Sequence, residues 1–541
     1  MKKYLFLLVW LLPLKSIACT NLIVGKGASA DGSVMITYAA DDYGSYGYLH
    51  FYPACHHKAG EMRALYDYET NNYLGEIPEV EYTYSVIGQV NDQQVSIMET
   101  TFGGREELAD TTGLFDYGSL MYVTLQRAKS AREAIDVWTK LVETYGYRSE
   151  GESITIADAN EVWVLEMVGK GPGRKGAVWV ALRLPDDCIT GHANQSRITT
   201  FPLKDKKNCL YAKDVISFAR EKGYFNGKDK DFSFRDAYAP NDFGARRICE
   251  ARVWSFFNRC AAGMDKYIPY ILGKDADTEE MPWCIRPDRP VSLNDLKQAM
   301  RDHFEGTPLE MTADLGAGPY EAPYRPTPLY YEVDGKKYFN ERPISTQQTA
   351  VTYLAQLRSW LPNHIGGVLW CGFDDGNMVP YAPIYCCSTI CPEAYAAQTA
   401  DPFTFSTKSA YWMQNALSNF VYPRYSQLFP ELQRARDALD NDFERMQAQV
   451  EKEAAAMSEA DAVSHLTAYT SRAAGLMMDR WRQLFERIIV KYNDMTEKPE
   501  TEDGQFKKTV GGDHVPVIRP GFPERYRRTV VNATGDRYLV P

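Results

Sequence analysis

The sequence predicts an α+β protein, and three observations carry that expectation. Residues 19–200 are dominated by short β-rich runs separated by hairpin turns. A second strand-like region follows over 344–373, from Ile344 to Phe373. From Ser409 to about Asn493 the pattern becomes helical, rich in Ala, Arg, Glu, Gln and Met and poor in glycine. With 541 residues the chain can bury a large core. The reading divides it into a leader over 1–18, a strand-rich domain over 19–400, a helical region over 401–500 packed on that core, and a surface-wrapping or disordered tail over 501–541.

The leader opens with Met1-Lys2-Lys3 and continues as an apolar run from Tyr4 to Leu14, broken only by Pro13. Ser16 and Ala18 then provide small residues at the third and first positions before Cys19. This is the pattern of a secretory signal peptide, too short for a membrane span. The apolar stretch Leu22–Val24 begins a strand, Asp31-Gly32 marks a turn, and Ser33–Thr37 returns. That return brings Asp41 back towards Cys19. Strands are expected at Tyr82–Val90 and Gln94–Glu99, a helix over Leu120–Thr144, and a second hairpin at Gly151–Asp158 and Glu161–Val168. A further strand over Val178–Leu184 precedes Gly191-His192-Ala193-Asn194-Gln195. Helices are read near Ala245–Cys260 and Ser292–Phe304, and amphipathic ones over Asp440–Met457 and Arg472–Tyr492.

Cleavage after Ala18 makes Cys19 the first residue, carrying a thiol and an α-amine together. The thiolate is the reactive form, and an unperturbed thiol titrates at about 8.5. An α-amine titrates at about 7.7–8.0, so it can be neutral where a lysine is not, and it can take the thiol proton. No distant histidine is then needed. The competing readings of this window are a lipid-anchored surface protein acylated on Cys19, and an ordinary disulfide cysteine. Ser16 stands where a lipoprotein box carries an aliphatic residue, yet this window alone leaves lipid anchor and nucleophile about level, with the disulfide third. The stretches after Cys19 favour the nucleophile, so an exported protein, periplasmic or extracellular, is expected and a lipid anchor is the less favoured outcome.

The formal charge is −11, and loss of Lys2, Lys3 and Lys15 takes it near −14. So acidic a chain lacks the electrostatic footprint of a nucleic-acid binder. After the leader no second long apolar run exists, so no transmembrane helix is expected. Thirty-six Tyr and ten Trp supply amphipathic material for lining a groove. Beyond Cys19 there are ten cysteines whose spacing dictates no pairing. Cys386-Cys387-x-x-x-Cys391 lacks the paired spacing and histidines of a zinc site, and no metal or other cofactor is expected. His192 reads as a hydrogen-bonded structural residue; pairing it with an internal cysteine would give a papain-like alternative.

Several separated stretches together resemble the cysteine dipeptidases of the secernin type, members of the N-terminal-nucleophile hydrolases. These are Cys19–Ile36, Glu99-Thr100-Thr101-Phe102-Gly103-Gly104-Arg105, Gly151-Glu152-Ser153, Gly191–Gln195 and Gly367–Trp370, in that order along the chain. The resemblance runs from Cys19 to about residue 400 and implies an αββα sandwich with the nucleophile on the first strand. It implies an exported dipeptidase acting on short peptides through a thioester on Cys19, with a homo-oligomer left open. Related choloylglycine hydrolases and penicillin V acylases offer an amidase as the alternative. Where those relatives carry Arg-x-x-Asp, this chain has Tyr38-Ala39-Ala40-Asp41, keeping the acid and replacing the arginine. By the same likeness Asp41 would contact the α-amine, Tyr38 would fill the space beside it, and Asn194 would donate to the oxyanion. Thr100 or Thr101 falls at the position of an active-site asparagine, and Arg342 at that of a later arginine.

Overall fold

A computed structural model describes residues 19–274, 278–509, 511 and 514–541, so the leader read over 1–18 lies outside the described residues. The first hairpin is present as β1 (Asn21–Val24) and β2 (Val34–Asp41), with Ile23 opposite Ile36 and Val24 opposite Met35. β2 continues past Thr37 because a strand from late in the chain pairs along it as far as Asp41. Short strands β3 (Phe51–Tyr52), β4 (Val86–Ile87) and β5 (Val90–Asn91) follow. The single strand expected over Tyr82–Val90 is thus broken up. Gly88 turns with a positive φ of 59° and lies so close to Leu369 that a Cβ there would meet its side chain at 2.5 Å.

The long strands are β6 (Ser96–Gly103), β7 (Gly151–Ala157), β8 (Val162–Gly169) and β9 (Ala177–Arg183). They are followed by β10 (Ile189–His192), β11 (Cys209–Tyr211), β12 (Thr349–Leu357), β13 (Gly367–Gly372) and β14 (Ala382–Tyr385). Two antiparallel, open sheets result, one in the order β10-β1-β2-β12-β13-β14 and one in the order β11-β9-β8-β7-β6-β5-β4-β3. The second strand-like region begins at Thr349 rather than Ile344. The preceding residues are irregular and carry Arg342 to the end of β2.

Helices cover the outer faces. The helix expected over Leu120–Thr144 is two, α1 (Tyr117–Leu125) and α2 (Ala131–Tyr145). The break is built by hydrogen bonds: Ser130 caps α2 by accepting from Glu133 N–H, and Asn91 Nδ2 donates at 2.7 Å to the carbonyls of Leu125 and Ala128. Leu120, Ile135 and Trp138 of this pair share a core with Ile97, Ile154, Ile156 and Leu165 of the eight-stranded sheet. Strand periodicity turns Met98, Ala157 and Val164 to that sheet's other face, where they join a second core with Leu22, Ile23 and Ile36. The two sheets therefore face each other.

Beyond the six-stranded sheet lie α3 (Ala251–Cys260), α4 (Ala410–Val421), α5 (Tyr425–Ala454) and α6 (Glu459–Tyr492). α3 contacts β10, and α5 and α6 contact β14. The C-terminal helices are longer than the two amphipathic stretches read in them. Leu428, Leu432, Leu439, Phe443, Leu466, Trp481, Leu484 and Ile488 are buried in the core that also holds Ile23 and Ile36. Arg358 at the end of β12 grips Glu451 of α5 through two bonds of 2.9 and 2.6 Å. The helix read over Ser292–Phe304 is confined to Leu293–Ala299, capped by Ser292 and Asp295. In the tail, an exposed helix over Glu524–Thr534 reaches the main body where Arg525 donates to the Ala313 carbonyl at 2.9 Å. No helix among the described residues is long and apolar enough to cross a membrane.

Candidate active site

Thr20 exchanges backbone hydrogen bonds with Ala39, which sets Cys19 at the start of β1 beside the end of β2. Its side chain is buried. The thiol lies 3.8 Å from Tyr38 Oη and 3.9 Å from Glu99 Oε1, and the Tyr38 hydroxyl donates to the same Glu99 oxygen at 2.7 Å. Burial pushes the Cys19 thiol well above its ordinary range, and the carboxyls of Glu99 and Asp41 push it further. The Asp41 backbone N–H, which points at the sulfur, and the Tyr38 contact oppose this without overcoming it. Such a thiol is protonated at rest, and its proton has to be removed in the course of a reaction.

Asp41 is fully buried and meets the Arg342 guanidinium, while Thr349 Oγ1 donates to its other oxygen at 2.5 Å. The structure thus joins two residues read 301 positions apart, Asp41 and Arg342. Burial holds the Asp41 carboxyl above its usual value against the pull of Arg342 and Thr349. Arg252, on α3, ties Cys19 to Asn194. Its guanidinium donates to the Cys19 carbonyl at 2.7 Å, Thr20 Oγ1 at 2.8 Å, the Ala193 carbonyl at 2.6 Å and Asn194 Oδ1 at 3.1 Å. Asn194 follows β10 in a left-handed conformation with φ 71°, and its Nδ2 donates to the Thr101 carbonyl at 2.8 Å. An amide has two N–H groups, so one remains for a further acceptor.

Thr100 and Thr101 part company because successive strand residues point to opposite faces. The Thr100 hydroxyl lies 2.7 Å from His192 Nδ1, and Thr155 meets the other ring nitrogen at 2.7 Å. The Thr100 hydroxyl, read as a substrate contact, is thus engaged with His192 within the protein. His192 is held between two threonines, and burial depresses it to about 3, so it is a neutral structural ring. Thr101 faces the other way, donates to Glu152 Oε1 at 2.7 Å and lines a cleft of about 520 Å³. Asp116, Tyr117, Arg148, Glu150, Glu152 and Asn194 line the same cleft. Its size suits a small ligand.

Three residues at this site were not singled out from the sequence. Glu99 and Glu152 are two of them. Thr101 opposes Glu152 across β6 and β7, and the period of two puts Glu99 on the same face, where its carboxyl contacts that of Glu152. That alternation was the available signal. Burial lifts Glu99 to about 7, and burial together with the charge of Glu99 lifts Glu152 well above its ordinary value. Arg252 is the third, and its partners lie more than two hundred residues away at Cys19 and Thr20, so no local pattern marks it.

Comparison with known proteins gives this arrangement its family. The sequence model of Peptidase family C69 matches residues 18–54 and 52–438, and the chain belongs to that family. It is a hydrolase acting on peptide bonds. The chain is 24% identical over 500 residues to a probable dipeptidase of Latilactobacillus sakei, covering 89% of this chain and 96% of that protein. It is 29% identical over 406 residues to a probable dipeptidase of Salmonella dublin, covering 71% and 85%. Dipeptidase A of Lactobacillus helveticus is 26% identical over 444 residues, covering 78% and 85%.

Proposed function

We propose that the protein is an exported cysteine dipeptidase whose nucleophile is Cys19 as the first residue of the processed chain. The observation that carries this reading is the placement of the Cys19 thiol. It is buried at the start of the first strand, its carbonyl is fixed by Arg252, and Glu152 and Asn194 connect its surroundings to the cleft. Two facing sheets between helical layers support an αββα sandwich of the N-terminal-nucleophile type. The printed names of the relatives support dipeptides as substrates.

In this mechanism the α-amine of Cys19 takes the thiol proton as sulfur attacks the scissile carbonyl, and then delivers it to the leaving amine. The high resting position of the thiol makes such an adjacent base necessary. Asp41, paired with Arg342, orients that amine, and Asn194 with a backbone amide holds the oxyanion. Water then hydrolyses the thioester with the amine again as base. The test is turnover of a panel of dipeptides and of acyl amides by the processed protein. Dipeptide hydrolysis is expected, with Cys19→Ala lowering it by about 10³-fold or more. Preference for acyl amides over every dipeptide would replace the reading with an amidase, and full activity in Cys19→Ala would end it.

A further inference from the structure

The unexplained feature beside Cys19 is a pair of buried acids. Glu99 is 2% exposed and Glu152 fully buried, their carboxyls touch, and Glu99 Oε1 is 3.9 Å from the nucleophile. Tyr38 donates to one oxygen of Glu99 and Thr101 to one oxygen of Glu152. Among the described residues, the Oε2 atom of each finds no donor. The contact between the two carboxyls, both pushed up by burial, fits a proton shared between them. Two touching carboxyls, each with one oxygen that has no protein donor, are costly to bury, and a cation with N–H groups would offset that cost.

We infer that Glu99 and Glu152 form the subsite for the substrate's own α-ammonium, so that the enzyme acts only on peptides with a free N-terminus and attacks the first peptide bond. This rests on the proposed role of Cys19. The geometry follows from the peptide: its α-nitrogen lies about 2.5 Å from the carbonyl carbon of the same residue. That carbon approaches the attacking sulfur to about 3–3.5 Å. A carboxylate oxygen 3.9 Å from the sulfur can therefore reach the α-nitrogen of the residue being cleaved. An ammonium brings three N–H donors, enough to satisfy both free oxygens while displacing the shared proton. The raised position of both acids fits a pair that exchanges its shared proton for the ammonium, the net charge staying at −1 across the exchange.

The rival use of these acids is to hold the enzyme's own α-amine, and one experiment separates the two. Binding to the Cys19→Ala protein is measured by calorimetry for a free dipeptide, its N-acetyl form and its des-amino analogue. The inference expects the free dipeptide to bind 10–100-fold more tightly than either derivative, with proton release at about pH 6. It expects Glu99→Gln in the same background to abolish that preference, with Glu152→Gln as the second variant should the first fold poorly. Equal binding of all three ligands, or a preference untouched by both substitutions, overturns the subsite. Turnover by the wild-type protein is followed alongside. Hydrolysis of free and acetylated peptides at equal rates refutes the subsite and leaves the dipeptidase reading intact, whereas no hydrolysis of any dipeptide refutes that reading itself.

Discussion

The residues around Cys19 are poised for chemistry at the expense of stability. Glu99 moves from 4.5 to about 7 on burial, so it is disfavoured in its ionised form inside the fold. Its folded value lies above its unfolded one, so its contribution is fully present below about 4.5 and is lost as pH rises through 7. Glu99→Gln should therefore gain stability relative to wild type between about pH 5 and pH 8, by on the order of 3 kcal/mol. Urea midpoints of both proteins at the two pH values measure this, and an unchanged difference would contradict it. Asn194→Ala should cost about 10²–10³ in turnover, read as kcat at temperatures well below the variant's thermal midpoint, which should itself fall because alanine loses the Thr101 and Arg252 bonds in a left-handed conformation.

At the scale of elements, Arg252 shows what one helix contributes to a site it does not line. Its side chain is completely buried and bonds to four groups on the first strand and on the turn after β10. Replacing it with Met leaves the Cys19 and Ala193 carbonyls without these donors. A cost of about 3–5 kcal/mol in stability is expected, together with loss of turnover even at temperatures where the variant is folded. Arg252→Lys, which keeps the charge but not the fork, should restore stability more than activity. Nothing local pointed to this residue, since its partners are reached only through tertiary folding. Asp31-Gly32 was different, because a turn between β-rich runs is written in adjacent residues, and the hairpin that returns Asp41 to Cys19 was legible. The helix over Leu120–Thr144 was misread as one because its break depends on Asn91, a residue from another strand. Thr100 and Thr101 could have been told apart from the sequence once β6 was fixed, since the strand period decides which of them meets the cleft.

Over the whole molecule the apolar pattern disclosed the strand-rich unit and a helical end packed on its core, but not which side chains join the two. Eight large side chains of α5 and α6 are buried in the same cluster as β1 and β2. At roughly 2 kcal/mol each, on the order of 16 kcal/mol of burial depends on these helices. That exceeds the net stability of an ordinary domain, about 5–15 kcal/mol. A chain ending before Tyr425 should fail to fold cooperatively, seen as loss of a sigmoidal urea transition, and a stable, active truncation would show that the helices are an appendage.

The central claim is that Cys19 works only as a chain terminus. The most direct measurement compares two proteins identical from Cys19 onward, one beginning at Cys19 and one retaining Ser16-Ile17-Ala18 ahead of it, in the same dipeptide assay with intact masses recorded. The account predicts turnover by the first and none by the second until those three residues are removed. Equal turnover by both, with the longer protein's mass unchanged, would contradict it, because the base would then have to be something other than the α-amine of Cys19.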